Sequence, residues 1–192
     1  MVQLSNALMA LLAAASASSA VSLQKRVVQQ TPDSTLQWMQ ACTTASGGDV
    51  CNTVSQVSAT TLLATASVCD QQDAADTMID VAKTLKSNPD MIRLAQIFVQ
   101  QPRDAADGLQ VPHCQKGPRN TELHGLYHCQ FASSDFTKFS GDQKGNLPPN
   151  ITAVNPPGSC PALNSPVPDG VQLYTLVSSP GAPSGWVSPL HF

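Results

Sequence analysis

Residues 70–102 read DQQDAADTMIDVAKTLKSNPDMIRLAQIFVQQP, and this stretch decides the fold class. Asp70 suits a helix N-cap, and Asp73 lies where the helix dipole favours negative charge. Behind them Ala75, Met78, Ile79, Ala82 and Leu85 recur at helical spacing and form one apolar face. Asn88-Pro89-Asp90 then interrupts the pattern and restarts it, with Pro at a first helical position. Met91, Leu94, Ala95 and Phe98 form the next apolar face, and Pro102 stops it. Two helices joined by so short a connection pack as antiparallel neighbours.

The same punctuation extends backwards. Thr31-Pro32 opens a helix whose stripe is Trp38, Ala41, Cys42 and Ala45, and Gly47-Gly48 ends it. Asp49 is placed to cap a second helix, in which Val50, Val54, Val57, Thr61, Ala64 and Val68 recur at steps of four and three. The expectation is a mainly α protein, a small disulfide-stapled bundle of about four helices. The second half differs. Between 103 and 145 loops are expected, with one short helix near Glu122–Cys129. From Asn146 onward ten of 47 residues are Pro, which predicts an irregular proline-rich C-terminal arm pinned at Cys160, its last stretch 178–192 loose.

Residues 1–20 carry no Lys, Arg, Asp or Glu, and an apolar run from Ala7 to Ala15 leads into Ser18-Ser19-Ala20. That run has signal-peptide length and falls short of the ~20 apolar residues a membrane span needs. Lys25-Arg26 reads as a dibasic processing site. The expected organisation is a signal peptide at 1–20, a pro-segment at 21–26, a helical stapled domain at 27–145 and the arm at 146–192 on the same domain. Cleavage after Arg26 leaves 166 residues, enough for one domain with a real core. It also leaves 8 basic against 13 acidic residues, a net charge of −5. No basic cluster survives, which argues against nucleic acid and anionic membranes as partners.

In a secreted chain the six cysteines, Cys42, Cys51, Cys69, Cys114, Cys129 and Cys160, imply three disulfides with fifteen connectivities. A continuous helix over 50–68 would hold Cys51 and Cys69 about 27 Å apart and forbid that pair. Cys42 lies across the Gly47-Gly48 turn from Cys51, so Cys42–Cys51 is expected. Cys69 then reaches Cys114, Cys129 or Cys160.

Catalytic signals are absent. His124 and His128 are spaced as a metal pair beside His113, but the sequence lacks the Glu that zinc peptidases place after the first His, and Gly125 weakens the helix such a pair needs. There is no Gly-x-Ser-x-Gly elbow. The acid pairs Asp73/Asp76 and Asp104/Asp107 fit capping and solvated surface better than a glycosidase dyad. Gly141–Gly145 is too short and polar for a phosphate loop. No catalytic, cofactor or metal residue is therefore assigned. Trp38 is read as core, and Phe131, Phe136 and Phe139 as a satellite core under the loops, with a partner-binding patch as the alternative. Asn150-Ile151-Thr152 is the one N-glycosylation sequon.

Two stretches are familiar together: 73–102, quoted in part above, and Gln130-Phe-Ala-Ser-Ser-Asp-Phe-Thr-Lys-Phe139. They resemble a group of small secreted, cysteine-containing proteins of wood-decay basidiomycete fungi, and through it the non-catalytic small subunit of heterodimeric laccases. The resemblance implies an accessory role beside a larger secreted glycoprotein that carries the copper. The His-x-His pairs of a multicopper oxidase are missing here, which fits a partner that does no chemistry. Against this stand two other expectations: a small hydrolase with scattered catalytic residues, and a secreted effector-like interaction protein.

Overall fold

The computed structural model describes residues 35–142 and 145–180. The readings that fall on 1–34 and 181–192 (the signal peptide, Lys25, Arg26, the Thr31-Pro32 helix start and the end of the arm) lie outside the described residues. Within them the chain is mainly helical. The helices are α1 (Leu36–Thr44), α2 (Asp49–Thr60), α3 (Asp70–Thr84), α4 (Pro89–Gln100) and α5 (Leu173–Leu176). A two-residue strand β1 (Leu109–Gln110) pairs in parallel with β2 (Asp135–Phe139) across a register irregularity.

α3 forms where it was expected, with Asp70 and Asp73 in its first turn and Lys83 in its last, both favourable to the helix dipole. The N-cap is Cys69 rather than Asp70; the Asp70 carboxylate accepts from the Ser67 N–H at 2.7 Å and so braces the turn just before the helix. Likewise Gly48, not Asp49, is the N-cap of α2. α4 starts as predicted: the Asn88 side chain accepts from the N–H groups of Asp90 and Met91, both at 3.1 Å, with Pro89 first in the helix. It ends because Gln101, preceding Pro102, turns extended (φ −59°, ψ 134°).

α2 departs from the expectation in length and in facing. It stops at Thr60, not Val68. The Thr60 and Thr61 hydroxyls donate to the Val57 and Ser58 carbonyls at 2.7 Å, and the backbone continues as tight i→i−3 turns through Leu63. Such hydroxyls compete with the helical ladder. The Arg103 guanidinium then donates to the Ala66 and Val68 carbonyls and holds the unwound segment. Val50 and Val57, assigned to the apolar stripe, are exposed; the buried face is Cys51, Val54, Ser55, Ser58 and Ala59. The Ser55 hydroxyl donates to Thr35 at the start of α1, so small polar residues let α1 and α2 approach.

α1 packs on α2 and α4, and α3 on α2 and α4, around a core of Trp38, Met78, Ile79, Met91, Leu94 and Phe98. α4 is buried on both sides. Its opposite face places Ile97 in a second cluster with Cys129, Cys160, Val167 and Leu173. Two further expectations need correction. The helix near Glu122–Cys129 is only one 3-10 turn, Thr121–Leu123, because Gly125 takes positive φ (76°). The segment after 146 is not wholly irregular, since α5 forms there and packs on α4.

Candidate functional site

Sparse regular structure in the second half leaves many backbone groups without ladder partners, and a buried backbone group must bond to something. Glutamine side chains take that role. The Gln71 amide donates to the Phe98 and Gln101 carbonyls, both at 2.8 Å, and so satisfies the C-terminal end of α4 from α3. The Gln101 side-chain Oε1 accepts from the Leu173 N–H that opens α5. Gln130 accepts from the Val111 N–H and donates to the Val111 carbonyl, each at 2.9 Å, as an extra strand would. Gln110 donates to the Phe136 carbonyl across β1 and β2. Gln115 donates to Asn146 and to the Leu147 carbonyl, and Asn146 accepts from the His113 N–H. These bonds tie 109–115, 127–130, 135–139 and 145–161 into one wall.

That wall encloses a cleft of about 760 Å³, a volume suited to a small molecule, which typically takes about 300–1,000 Å³. Tyr127, Phe136, Phe139, Pro148, Pro157 and Pro161 line much of it. Phe136 lies so close to Gly158 (φ 78°) that a Cβ there would meet its ring at 2.6 Å. The polar atoms of the wall are largely engaged: the Tyr127 hydroxyl donates to the Pro149 carbonyl at 3.2 Å and that of Thr137 to Asp135 at 2.7 Å. No Asp or Glu is among the described lining residues.

At the inner end His113 and His128 stack, ring centroids 4.1 Å apart and planes 16° from parallel. Tyr127 and Phe139 meet His113 edge-on, at 6.4 and 6.2 Å. Burial holds the His113 imidazole well below its ordinary pKa, with the charges of His128 and Arg103 adding to the effect. Burial likewise brings His128 down to about 4, helped by Arg103 and opposed by two carbonyl contacts. Those contacts are the Cys129 carbonyl at Nδ1 and the Pro112 carbonyl at Nε2, both 3.1 Å away. A neutral ring donates from only one nitrogen, so one carbonyl is left unserved and neither nitrogen of His128 points into the cleft as an available base.

The sequence-predicted residues fall as follows. Cys42–Cys51 forms as expected (Cα–Cα 5.6 Å), Cys69 pairs with Cys114, and Cys129 with Cys160. His124 is exposed, whereas His128 stacks on His113, so the i, i+4 pair is not brought together. Among the described residues no three His, Cys, Asp or Glu side chains converge on a metal position, and no helix is long and apolar enough to cross a membrane.

Asp76 corrects the surface reading of the Asp73/Asp76 pair. It is buried on α3 and accepts from the Arg119 and Asn120 N–H groups at 2.9 and 2.8 Å and from the Asn120 amide at 3.0 Å. Asp80 and Lys83 extend the network to Arg119, Asn120 and Glu122. Asp107 accepts from the Leu109 N–H and the Ser140 hydroxyl. Asp104 is drawn up to about 6 by burial and has an oxygen with no hydrogen-bond partner among the described residues.

Phe131 and Phe139 are buried, in keeping with a satellite core, but Phe136 and Phe139 also face the cleft. Sequence reasoning missed Tyr127, Lys138 and the proline rim as members of one site. Only the nearness of the three Phe residues hinted at it. Asn150 is exposed at positive φ (64°), in a turn closed by the Ile151 N–H and the Pro148 carbonyl. The chain matches no family model, no curated protein and no solved structure.

Proposed function

We propose that this chain is a secreted, non-catalytic binding protein that associates with and stabilises a larger secreted glycoprotein such as a laccase. The observation that carries the non-catalytic part is the cleft itself: a ligand-sized space with apolar walls, no carboxylate among its described lining residues, a His128 imidazole with a carbonyl at each nitrogen, and a His113 imidazole held neutral by burial. General acid–base work needs a titratable group within reach of the reacting atom and a pKa near the working pH, and His128 meets neither condition. Three disulfides suit an oxidising compartment, in line with a leader at 1–26. In this reading the helices form a bundle, the proline-rich segment that begins at 146 is an arm laid over it as far as residue 180, and Asn150 is exposed for glycosylation. Stabilisation of a partner then requires only selective binding to its folded state.

Native purification from culture fluid, with mass spectrometry of whatever elutes alongside, tests the proposal. The expected result is co-elution with a larger glycoprotein, and a longer thermal half-life of a laccase when this chain is added. Elution alone near its own mass, with no effect on the added laccase, overturns the reading.

A further inference from the structure

The cleft carries a statement about its ligand. Its walls are rich in rings and prolines: Tyr127, Phe136 and Phe139, with Pro148, Pro157 and Pro161. Flat apolar surfaces of this kind favour a flat aromatic guest, which stacks or meets them edge-on. Most interior polar groups are already engaged, the exception being Nδ1 of His113, which has no hydrogen-bond partner among the described residues. Gln130 is held at both ends by Val111, the Gln110 amide serves Phe136, and the Tyr127 hydroxyl serves Pro149. A guest with many hydroxyls would therefore lose its water contacts and find few replacements.

One group of the lining carries a charge. Lys138, exposed on β2 and part of the lining, closes no ion pair among the described residues. Asp135, the acid nearest in sequence, is bonded to the Thr137 N–H and hydroxyl at 2.9 and 2.7 Å; it feels the Lys138 charge but forms no ion pair with it. The described lining thus has one formal charge, a cation, at the mouth of an apolar cleft.

We infer that the cleft binds a small aromatic anion, an arylcarboxylate or arylsulfonate, its rings among Tyr127, Phe136, Phe139 and the prolines and its charge at Lys138. Nothing reacts; the guest enters and leaves unchanged. The inference rests on the non-catalytic reading only for that last point.

The probe is 1-anilinonaphthalene-8-sulfonate, titrated by fluorescence into the full chain. Its neutral counterpart is N-phenyl-1-naphthylamine. The sulfonate should bind at one site per chain. Lys138→Gln, an exposed change that spares the core, should weaken the sulfonate about fivefold, the range of one solvent-exposed charge pair, and leave the neutral probe unchanged. Ala153→Trp, which fills the cleft from its exposed edge, should abolish binding of both. 1-Naphthoate should displace the sulfonate, while decanoate and 1-naphthalenemethanol at equal concentration should not.

Equal loss of both probes in Lys138→Gln, or no loss of either, overturns the charge assignment. Better displacement by decanoate overturns the aromatic one. Sulfonate binding that survives in a folded Ala153→Trp places the ligand elsewhere and overturns the site. If that variant does not fold, the Lys138→Gln comparison decides alone. Naphthoate recovered chemically altered would sink the non-catalytic reading and leave the site standing. No binding at all would sink the site and leave co-elution with a partner untouched.

Discussion

Gly47 is a glycine for want of space rather than for a special backbone angle. A Cβ built there would lie 2.5 Å from the Cys51 sulfur and 2.6 Å from that of Cys42, with Leu85 at 3.0 Å behind them. The left-handed residue that ends α1 is its neighbour Ser46 (φ 68°), whose N–H donates to the Thr43 carbonyl while that of Gly47 donates to Cys42. This is a Schellman ending with serine in the position glycine usually holds. Gly47→Ala should therefore force the disulfide or the turn to shift and cost about 2 kcal/mol, the usual scale of an overpacked core. Urea denaturation checks this, and an unchanged midpoint would refute the close packing. Asp76 acts at the same scale. Asp76→Ala would leave the buried Asn120 N–H and the part-buried Arg119 N–H without their acceptor, while the Asn120 amide keeps Asp80 and the Asp76 carbonyl, so a loss of about 2 kcal/mol is expected. Asp76→Asn, which keeps one oxygen, should lose less.

The turn between α3 and α4 is the place where an element is held under avoidable strain. Lys86 (φ 60°) and Ser87 (φ 53°) are consecutive left-handed residues, neither of them glycine. An L-residue in that region costs about 1–2 kcal/mol. Lys86 is exposed, so Lys86→Gly should raise stability by about 0.5–1 kcal/mol, less than the full strain because glycine has more freedom to lose on folding. Thermal melting should show a higher midpoint, and a lower one would deny the strain. Nothing in Leu85-Lys-Ser-Asn88 announces that geometry, although the helices on either side were legible from Met78, Ile79, Met91 and Phe98. α4 was the clearest, because Asn88-Pro89 marks its start and Pro102 its stop. α2 was misread because its valines looked like the buried stripe. The disulfide draws Cys51 inward, and Ser55 and Ser58 turn in with it, so small polar residues form the face. The cleft was scarcely legible. It joins segments 19 and 32 residues apart through glutamine–backbone bonds, which have no period to detect.

For the whole molecule, acid is the condition to which the buried groups respond, and they respond in opposite senses. His113 and His128 titrate lower in the folded chain than in the unfolded one. The stability tied to their neutral forms is present above about pH 6.5 and falls away as the pH drops toward 4, where His128 takes up its proton. Asp104 titrates higher when folded, at about 6. Its contribution is present in acid and is lost as the pH rises from its ordinary value near 4 toward 6. Two imidazoles outweigh one partly exposed carboxyl, so stability should climb between pH 4.5 and 7. Asp104→Asn removes the opposing slope. It should make the climb steeper and leave the protein more stable at pH 7. Denaturation midpoints at the two pH values for both proteins measure this directly, and a flat wild-type profile would contradict it.

α4 is a party wall. Trp38, Met78 and Ile79 lean on one side of it, Cys129, Val167 and Leu173 on the other through Ile97, and its last carbonyls are held by Gln71 from α3. Neither half has a complete interior without it. Losing the helical side would strip one face of α4, and losing the stapled side would strip the other. The two halves are therefore bound to melt in a single cooperative step, although the sequence changes character between them. A ligand that gripped only the cleft would also protect the distant core around Trp38, because the helix they share transmits the gain.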